Sequence, residues 1–505
     1  MQKQEIIAVI DIGSSAIRLL IAQGRPAYEW ELVDSAERPL ALGQDVFRSG
    51  SIERKTMNHA IAILKDFMEL MAPYKVDRIA AIGTSALSES ENREIFIDRV
   101  LLQTGIEVTV IDGVEANQLA WLAVREPLEA VHTDFKRYKS MIIEVGAGNT
   151  DLMILRKGNI TASYALPIGA LRYLQKIDSK INGNLRESFR HHVSRNIGGI
   201  SHELGLSKIS KLVAIGNDVR LAASHLGKSL SSQMAVIPRA AFRDFVREIE
   251  TYKPDELVER LNLPWNEAEL LYPALIILDT FVESTRADEI FVPSGSIRQG
   301  LLVSYATDHG ALRSIFSTQV IEGSRSIAKH YHTDMKHAEF VRKQALVLYD
   351  KLNMELGLKD RLLLESAAIL HDIGTYISAA SHHKHSQYII QNSDIFGLSA
   401  VDKEIVGYIV RYHRRRQPRS SHASYLKLDR RSRIVVQKLA ALLRVADALD
   451  RSHTQSVKIS NLKMDNNRLT IFTDYTGNVS MEKLSLSEKA DLFENLFGLR
   501  VVLRN

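Results

Sequence analysis

One stretch of this sequence occurs twice, and the repeat narrows the folds open to the chain. IIAVIDIGSSAIRLLIA near the start and SMIIEVGAGNTDLMILRKG further on share one grammar: an apolar run, an acidic glycine-rich turn and a second apolar run. Asp11 matches Glu144, Gly13 matches Gly146, and LLIA (19–22) matches LMIL (152–155), all at one constant offset. The first copy reads as a strand from Ile6, a turn over Asp11 to Ser15, and a second strand from Ile17 to Ala22. In such a turn small residues let backbone N–H groups approach a phosphate, and the acidic residue can hold a cation or a water. Two copies facing each other would grip a phosphate chain from both sides.

Between and after the copies the pattern alternates. Met57, Ile61, Leu64, Phe67 and Met71 form one helical stripe, VDRIAAIG reads as a strand entering GTSALSESEN, and IEVTVIDG as a strand entering a helix at GVEANQLAWLAV. After the second copy, strands are expected at ITASYALPIG, at KLVAIG, which enters a helix through Asn217 and Asp218, and at EIFVPSG, with a long helix from Glu267 to Thr285. Repeated strand-to-helix alternation predicts two related α/β lobes, over 1–126 and 127–307, with a cleft between them.

The stretch LLESAAILHDIGTYISAASHHKHSQYII, from Leu363 to Ile390, opens a different, helical region expected over 308–455. Leu364, Ala367, Ala368 and His371 recur at helical spacing, so the imidazole points with the buried face, and Gly374 is the expected stop. His337 shares a face with Val341 and Leu348, and Asp447 follows Val436, Ala440 and Leu443. A carboxylate beneath such a stripe needs a partner, because an unpaired buried charge costs several kcal/mol or titrates to neutrality. Any one of these residues alone reads best as a satisfied core or capping group. His337, His371, Asp372 and Asp447 together make two imidazoles and two carboxylates, a set suited to Mg or Mn, with Fe or Zn as further choices. This pattern of one His, then His-Asp, then a distant Asp resembles the HD superfamily of metal-dependent phosphohydrolases. By that resemblance His385 and His413 fall where two-metal members carry extra ligands, and Thr375 stands where catalytic members often have a Lys.

The rest of the composition limits the chemistry. With 505 residues and no cysteine, the chain has neither disulfides nor thiolate metal sites. No apolar run approaches the ~18 residues of a membrane span, which reads as a cytoplasmic protein without a membrane partner. The net charge of +5 is uneven: RRRQPRSSHASYLKLDRRSR carries Arg414, Arg415, Arg416, Arg419, Lys427, Arg430, Arg431 and Arg433 against Asp429 alone. Beside a metal site this tract suits a polyanion such as a polyphosphate or guanosine polyphosphate, although most charge runs are solvated loops. Nucleic acid is the weaker partner, because Tyr412 and Tyr425 alone do not make a stacking platform. From Ser456 a small α+β domain is expected over 456–505: a hairpin turning at Asp465-Asn466-Asn467, a helix from Leu484 to Phe497 and a last strand RVVL.

DIGSSAIRLLIA, AIGTSALSESEN, VIDGVEANQLAW, EVGAGNTDLM, LPIGALR and VPSGSIRQGLL, in this order, resemble the signatures of the exopolyphosphatase and guanosine pentaphosphate phosphatase family. That resemblance implies two actin-like (ribonuclease H-like) α/β lobes, a helical HD-like domain and a small α+β C-terminal domain. It also implies a homodimer, and release of phosphate from polyphosphate or pppGpp with Mg and a water-activating Glu. It puts Gly13, Ser14, Ser15, Gly146, Gly148 and Asn149 in the phosphate-binding loops. The departures concentrate on the chemistry. Ser15-Ala16 replaces the usual Asn-Ser, Ser88 an Arg, and Asn217-Asp218 part of a GGT loop. Ala116 follows Glu115 where the water-activating Glu usually stands, and EVGAGNTD replaces DIGGGSTE. Glu115 and Asp151 are the carboxylates left to take over catalysis in the cleft. The expectation is therefore a metal-dependent phosphohydrolase whose helical domain keeps the metal chemistry while the altered cleft binds or positions. The alternatives are the family reaction in the cleft, or a protein that senses polyphosphate or nucleotide without catalysis.

Overall fold

The computed structural model describes residues 5–24, 30–131, 133–178, 185–306, 309–352, 355–415, 417–419, 422–465 and 467–504. The chain forms two compact units, Met1–Ser314 and Ile315–Asn505.

The first unit contains two sheets. Strands β1 (Ile6–Ile12), β2 (Ala16–Gly24), β3 (Trp30–Pro39), β4 (Arg78–Gly83) and β5 (Val108–Val110) pair in the order β3-β2-β1-β4-β5. Strands β6 (Ser140–Val145), β7 (Thr150–Arg156), β8 (Asn159–Leu166), β9 (Lys211–Ile215), β10 (Lys228–Ser231), β11 (Met234–Pro238) and β12 (Glu289–Pro293) pair as β10-β11-β12-β9-β6-β7-β8. The run β8-β7-β6-β9-β12 repeats the order of the first sheet, so the duplication read from two hairpins extends to the whole lobe. Its register repeats as well. Asp11 pairs with Arg18 across β1 and β2, and Glu144 pairs with Asp151 across β6 and β7. Gly13 N–H donates to the Ala16 carbonyl at 3.0 Å, and Gly146 N–H to the Asn149 carbonyl at 2.8 Å. The first turn is thus shorter than the sequence reading: Asp11 lies in the ladder, and only residues 13–15 turn the chain.

The expected helical stripe is the helix Arg54–Met71, with Met57, Ile61, Leu64, Phe67 and Met71 all buried on the first sheet. The long helix runs Trp265–Glu283 and is buried for most of its length, which suits a core helix apolar on nearly every face. A lobe boundary at 126/127 falls inside the helix Gly113–Val131. The boundary at 307/308 lies outside the described residues.

The second unit is built on the helices Met335–Lys351, Leu358–Leu370, His382–Gln391, Ala400–Arg411 and Arg430–Ala448. Asp334, Ser399 and Asp429 cap three of them, each side chain accepting from a backbone N–H of the first turn. Strands β13 (Asn461–Asp465), β14 (Arg468–Phe472) and β15 (Arg500–Arg504) form a third sheet; Asn466 in the hairpin turn is outside the described residues. Val457, Leu469, Ile471, Leu486, Phe493 and Leu503 from this segment share one buried core with Leu364, Leu439 and Leu443 of the bundle. The expected division at 455/456 therefore cuts a single core. The single helix expected over Leu484–Phe497 is two, Ser480–Lys489 and Asp491–Phe497. The break falls where Arg444 Nε donates to the Lys489 carbonyl at 2.7 Å, taking the acceptor that a continuous helix would use internally. Among the described residues no helix is long and apolar enough to cross a membrane.

Candidate functional sites

The two halves of the repeat face a common cleft in the first unit. Gly13, Ser14, Ser15, Gly146, Gly148 and Asn149 all line it, together with Asp11, Glu144, Asp151 and Asp218 and the arginines Arg18, Arg220 and Arg298. Close packing explains the glycine at 148: a Cβ there would stand 2.6 Å from the Phe47 ring and 2.7 Å from Ser85 Oγ. Ser14 Oγ and Ser85 Oγ lie 3.1 Å apart, joining the first loop to the segment after β4. Arg172 donates from Nε to the Gly148 carbonyl at 2.8 Å and from Nη2 to both Glu89 oxygens at 2.7 and 2.8 Å. Sequence reasoning did not single out Arg172, Arg220 or Arg298, although LPIGALR and VPSGSIRQGLL contain two of them.

The cleft separates the two carboxylates expected to catalyse. Asp151 lines it, and its Oδ1 is buried without a hydrogen-bond partner, as is Asp11 Oδ1. Burial first, and then the neighbouring Glu144, push the Asp151 carboxyl well above the usual carboxylate range. Burial likewise raises Asp11 and Glu144 against the pull of nearby arginines, and raises Asp218 to about 7 with help from Glu267. Two orphaned acid oxygens are a fit for a cation, the only species that satisfies them without a donor. Glu115 is engaged elsewhere. Its carboxylate accepts from Asp112 N–H at 3.1 Å, and its own N–H donates to Asp112 Oδ1 at 2.9 Å. This reciprocal pair caps the helix Gly113–Val131, so the residue expected to activate water holds a helix start. Ala116, one position on, is the residue that lines the cleft.

In the second unit the sequence quartet does converge. His371 Nε2 is 3.2 Å from His337 Nε2. Asp447 Oδ1 stands 3.5 and 3.9 Å from Nε2 of His337 and His371, and Asp372 Oδ2 stands 3.9 and 3.5 Å from the same atoms. The other Asp372 oxygen, Oδ1, is 3.1 Å from His382 Nε2 and 3.9 Å from His413 Nε2. His337, His371 and Asp447 form one group with metal-ligand spacing, and Asp372, His382 and His413 a second; among the described residues these are the groups of that kind. His385, expected in the second group, is absent from it. His382 takes its place because it begins the helix His382–Gln391, one turn nearer the His-Asp turn. Gly374 permits that approach: a Cβ on it would come within 2.2 Å of the His382 carbonyl and 2.4 Å of Ser386 N. Gly374 is not the stop expected of it, since the helix ends at Leu370 and Gly374 lies in the short 3-10 turn Ile373–Tyr376; its role is this close approach.

All four histidines are tethered through Nδ1. His337 Nδ1 meets Asp450 Oδ2 at 2.8 Å, and the Nδ1 atoms of His371, His382 and His413 meet the carbonyls of Ala368, Ala379 and Val410 at 2.8, 3.2 and 2.6 Å. In a neutral ring, an Nδ1–H donated outward leaves an Nε2 lone pair facing inward, the arrangement a metal-binding imidazole requires; His337 takes that form on losing its second proton. Burial lowers His371, and lowers His413 far more; His337 is raised to about 9 because Asp447 and Asp450 outweigh its burial. Burial opposes ionisation of Asp372 and Asp447, yet the surrounding histidines, and Lys489 at Asp447, hold both below the usual range. Two oxygen–nitrogen groups joined by one carboxylate fit a pair of divalent ions. Sequence reasoning missed the roles of His382, Asp450 and Lys489, although His382 lies in HHKHSQYII, Asp450 closes the apolar run that carries Asp447, and Lys489 lies in the helix expected over Leu484–Phe497. In the basic tract Arg414 Nη1 lies 3.3 Å from both His382 ring nitrogens, while Arg416 is outside the described residues.

The Ppx/GppA phosphatase family profile matches residues 20–309, and that of Ppx/GppA phosphatase, domain III, matches residues 322–490. A guanosine-5'-triphosphate,3'-diphosphate pyrophosphatase of Photobacterium profundum is 23% identical over 481 residues, covering 92% of this chain and 91% of its own. The protein of the same name from Vibrio atlanticus is 23% identical over 81% of this chain and 80% of its own. Among solved structures, an exopolyphosphatase from Cytophaga hutchinsonii aligns with a TM-score of 0.54 at 18% identity, over 60% of this chain and 98% of that one, a likeness of fold. With more than half of its length matched by the family profile and the duplicated lobes in place, the chain belongs to the Ppx/GppA phosphatase family.

Proposed function

We propose that this protein is a divalent-metal-dependent phosphohydrolase that releases phosphate from polyphosphate or a guanosine polyphosphate, with an HD-type metal centre in its helical unit. The observation that carries the reading is Asp372, whose two oxygens face two separate His-containing groups. His337, His371 and Asp447 would hold one ion, His382 and His413 the other, and Asp372 both. Ions bound there would lower the pKa of water and offset phosphate charge. The residues' own contribution is positional. Asp450 and the carbonyls behind the other rings fix each imidazole, and burial keeps His371 and His413 neutral and ready to ligate. Arg414, 3.3 Å from the His382 ring, would suit a phosphate oxygen beside the second group. The cleft, with both turn loops on its wall, would grip the polyanion. A homodimer accompanies this reading through the family resemblance, and a cytoplasmic location through the lack of any membrane-length apolar run in the sequence.

One observation favours a second reading, in which the cleft retains the reaction. Relative to the resembled DIGGGSTE loop, Glu144 is one methylene longer and Asp151 one shorter, and the two are cross-strand partners, so the acidic pair is exchanged rather than lost. Asp151 would then be the working carboxylate.

The test measures metal content of the purified protein and phosphate release from polyphosphate, pppGpp and a simple phosphodiester, for wild type beside His371→Ala/Asp372→Ala. Metal and activity vanishing together supports the helical centre. Activity that survives the double change, and is lost in Asp151→Asn, moves the chemistry to the cleft. Metal binding with no turnover of any substrate leaves a sensing protein.

A further inference from the structure

Lys489 reaches the metal centre from a segment that no motif links to it. Its Nζ lies against Asp447 Oδ2, while Asp447 Oδ1 faces the two Nε2 atoms of the first group. One carboxylate is thereby divided between a fixed ammonium and the ligand pocket. The placement is built into the fold. Lys489 and Asp447 side chains are 15% and 10% exposed. Arg444, three residues before Asp447 on the same helix and 1% exposed, donates to the Lys489 carbonyl at 2.7 Å and to the Tyr412 carbonyl at 3.3 Å, and pairs with Asp491. A buried guanidinium is tolerated only when its donors are taken up. Here they pin the break between the last two helices, and with it Lys489, over Asp447.

We infer that Lys489 is a positioning residue of the metal centre: it occupies one oxygen of Asp447, limits that ligand to a single oxygen, and sets a permanent positive charge beside the bound cation. The inference rests on the metal reading given above. A like charge a few ångströms from a divalent ion opposes binding, and a carboxylate with one oxygen engaged cannot chelate. Lys489 therefore holds the affinity of the first group below what its donors alone would give. A side chain that merely packs would leave affinity untouched or, when removed, loosen the site.

The experiment is calorimetric titration of the chelator-treated full chain with Mn2+, comparing wild type, Lys489→Met, Lys489→Arg and His371→Ala. Lys489→Met is expected to bind about tenfold tighter, Lys489→Arg to stay within about twofold of wild type because it keeps the charge, and His371→Ala to lose binding. Should Lys489→Met fold poorly, Lys489→Gln keeps a donor toward Asp447 without the charge and is expected to tighten binding likewise. Equal or weaker binding in both uncharged variants, with His371→Ala still defective, overturns the role of Lys489 alone. Wild-type protein that takes up no Mn2+ sensitive to His371→Ala overturns the metal reading and this inference together.

Discussion

The cleft of the first unit and the histidine–aspartate cluster of the second both gather buried acids, and hold them in opposite states. In the cleft Asp11, Glu144, Asp151, Asp218 and Glu267 are all pushed up by burial, which outweighs the nearby arginines at four of them and is reinforced by Glu144 at Asp151. In the cluster Asp372, Asp447 and Asp450 are all held down against their burial, by imidazoles, by Lys489 at Asp447 and by hydrogen bonds from Gln455 at Asp450. The cause lies in where the cations point. Arg18 Nη2 is 2.9 Å from Glu37 but its nearest contact with Asp11 is 4.0 Å, and Arg220 donates to the Gly295 carbonyl and to Asn217. The cleft is short of positive charge, as a site awaiting a cation or a cation–phosphate complex would be; the cluster carries its own.

The contrast is broken most severely at Asp372, the one acid shared by both ligand groups. Asp372→Asn keeps the volume and removes the bridging charge, so Mn2+ affinity of the helical unit should fall about 100-fold or more, with both ions affected. Calorimetry that finds one undisturbed site would show that the groups act separately. Next in size is Asp450→Ala, which leaves every ligand in place and frees His337 Nδ1; the expected loss is about 10- to 100-fold in affinity. Unchanged affinity would show that the ring is held by packing, including the His453 ring stacked on it at 4.1 Å.

How far these sites were legible follows from what periodicity can report. The duplicated hairpin was legible because alternation and glycine placement are local, and the repeat even anticipates that Asp11 and Glu144 are equivalent in the two sheets. The ends of the first turn were not, because ladder pairing runs into a turn closed by one Gly13 hydrogen bond. His337, His371, Asp372 and Asp447 were legible as polar residues on apolar faces. In HHKH the same rule gives His382 and His385 one face, and only the approach over Gly374 decides between them. Asp450 and Lys489 act across the fold and leave no local signal. Glu115 shows the opposite limit, since a first-turn acid looks alike whether it caps or catalyses.

The pH response sharpens the comparison further. Asp218 has a folded pKa of about 7 against an ordinary 3.8, so its contribution to stability is present below about pH 4 and is lost as pH rises through about 7. The depressed carboxylates of the cluster have the reverse sign: their contribution is present above the ordinary value and is lost as pH falls. Asp218→Asn should therefore gain melting temperature relative to wild type as pH is raised from about 4 to 7, and hold that gain above. Added Mg2+ should raise the wild-type melting temperature more at pH 8 than at pH 5, if the cleft acids accept a cation. A variant whose difference from wild type does not change with pH would mean that Asp218 ionises freely in the cleft.

The smallest effect is expected at Glu115, and it is the most direct test of whether the cleft still works through a residue at that position. Glu115→Gln keeps an acceptor for Asp112 N–H and removes only charge from the first turn of the helix, where the macrodipole favours an anion. The expected cost is about 0.5 kcal/mol of stability, with phosphate release within about twofold of wild type. Asp151→Asn is the paired control, since its carboxyl lines the cleft with one oxygen unpartnered. If Glu115→Gln instead abolishes phosphate release while its melting temperature stays near wild type, the capping pair must open when substrate enters, and the carboxylate must swing to the wall now occupied by Ala116. That outcome would reverse the assignment of the two units, making the cleft the reacting site and the helical centre its support.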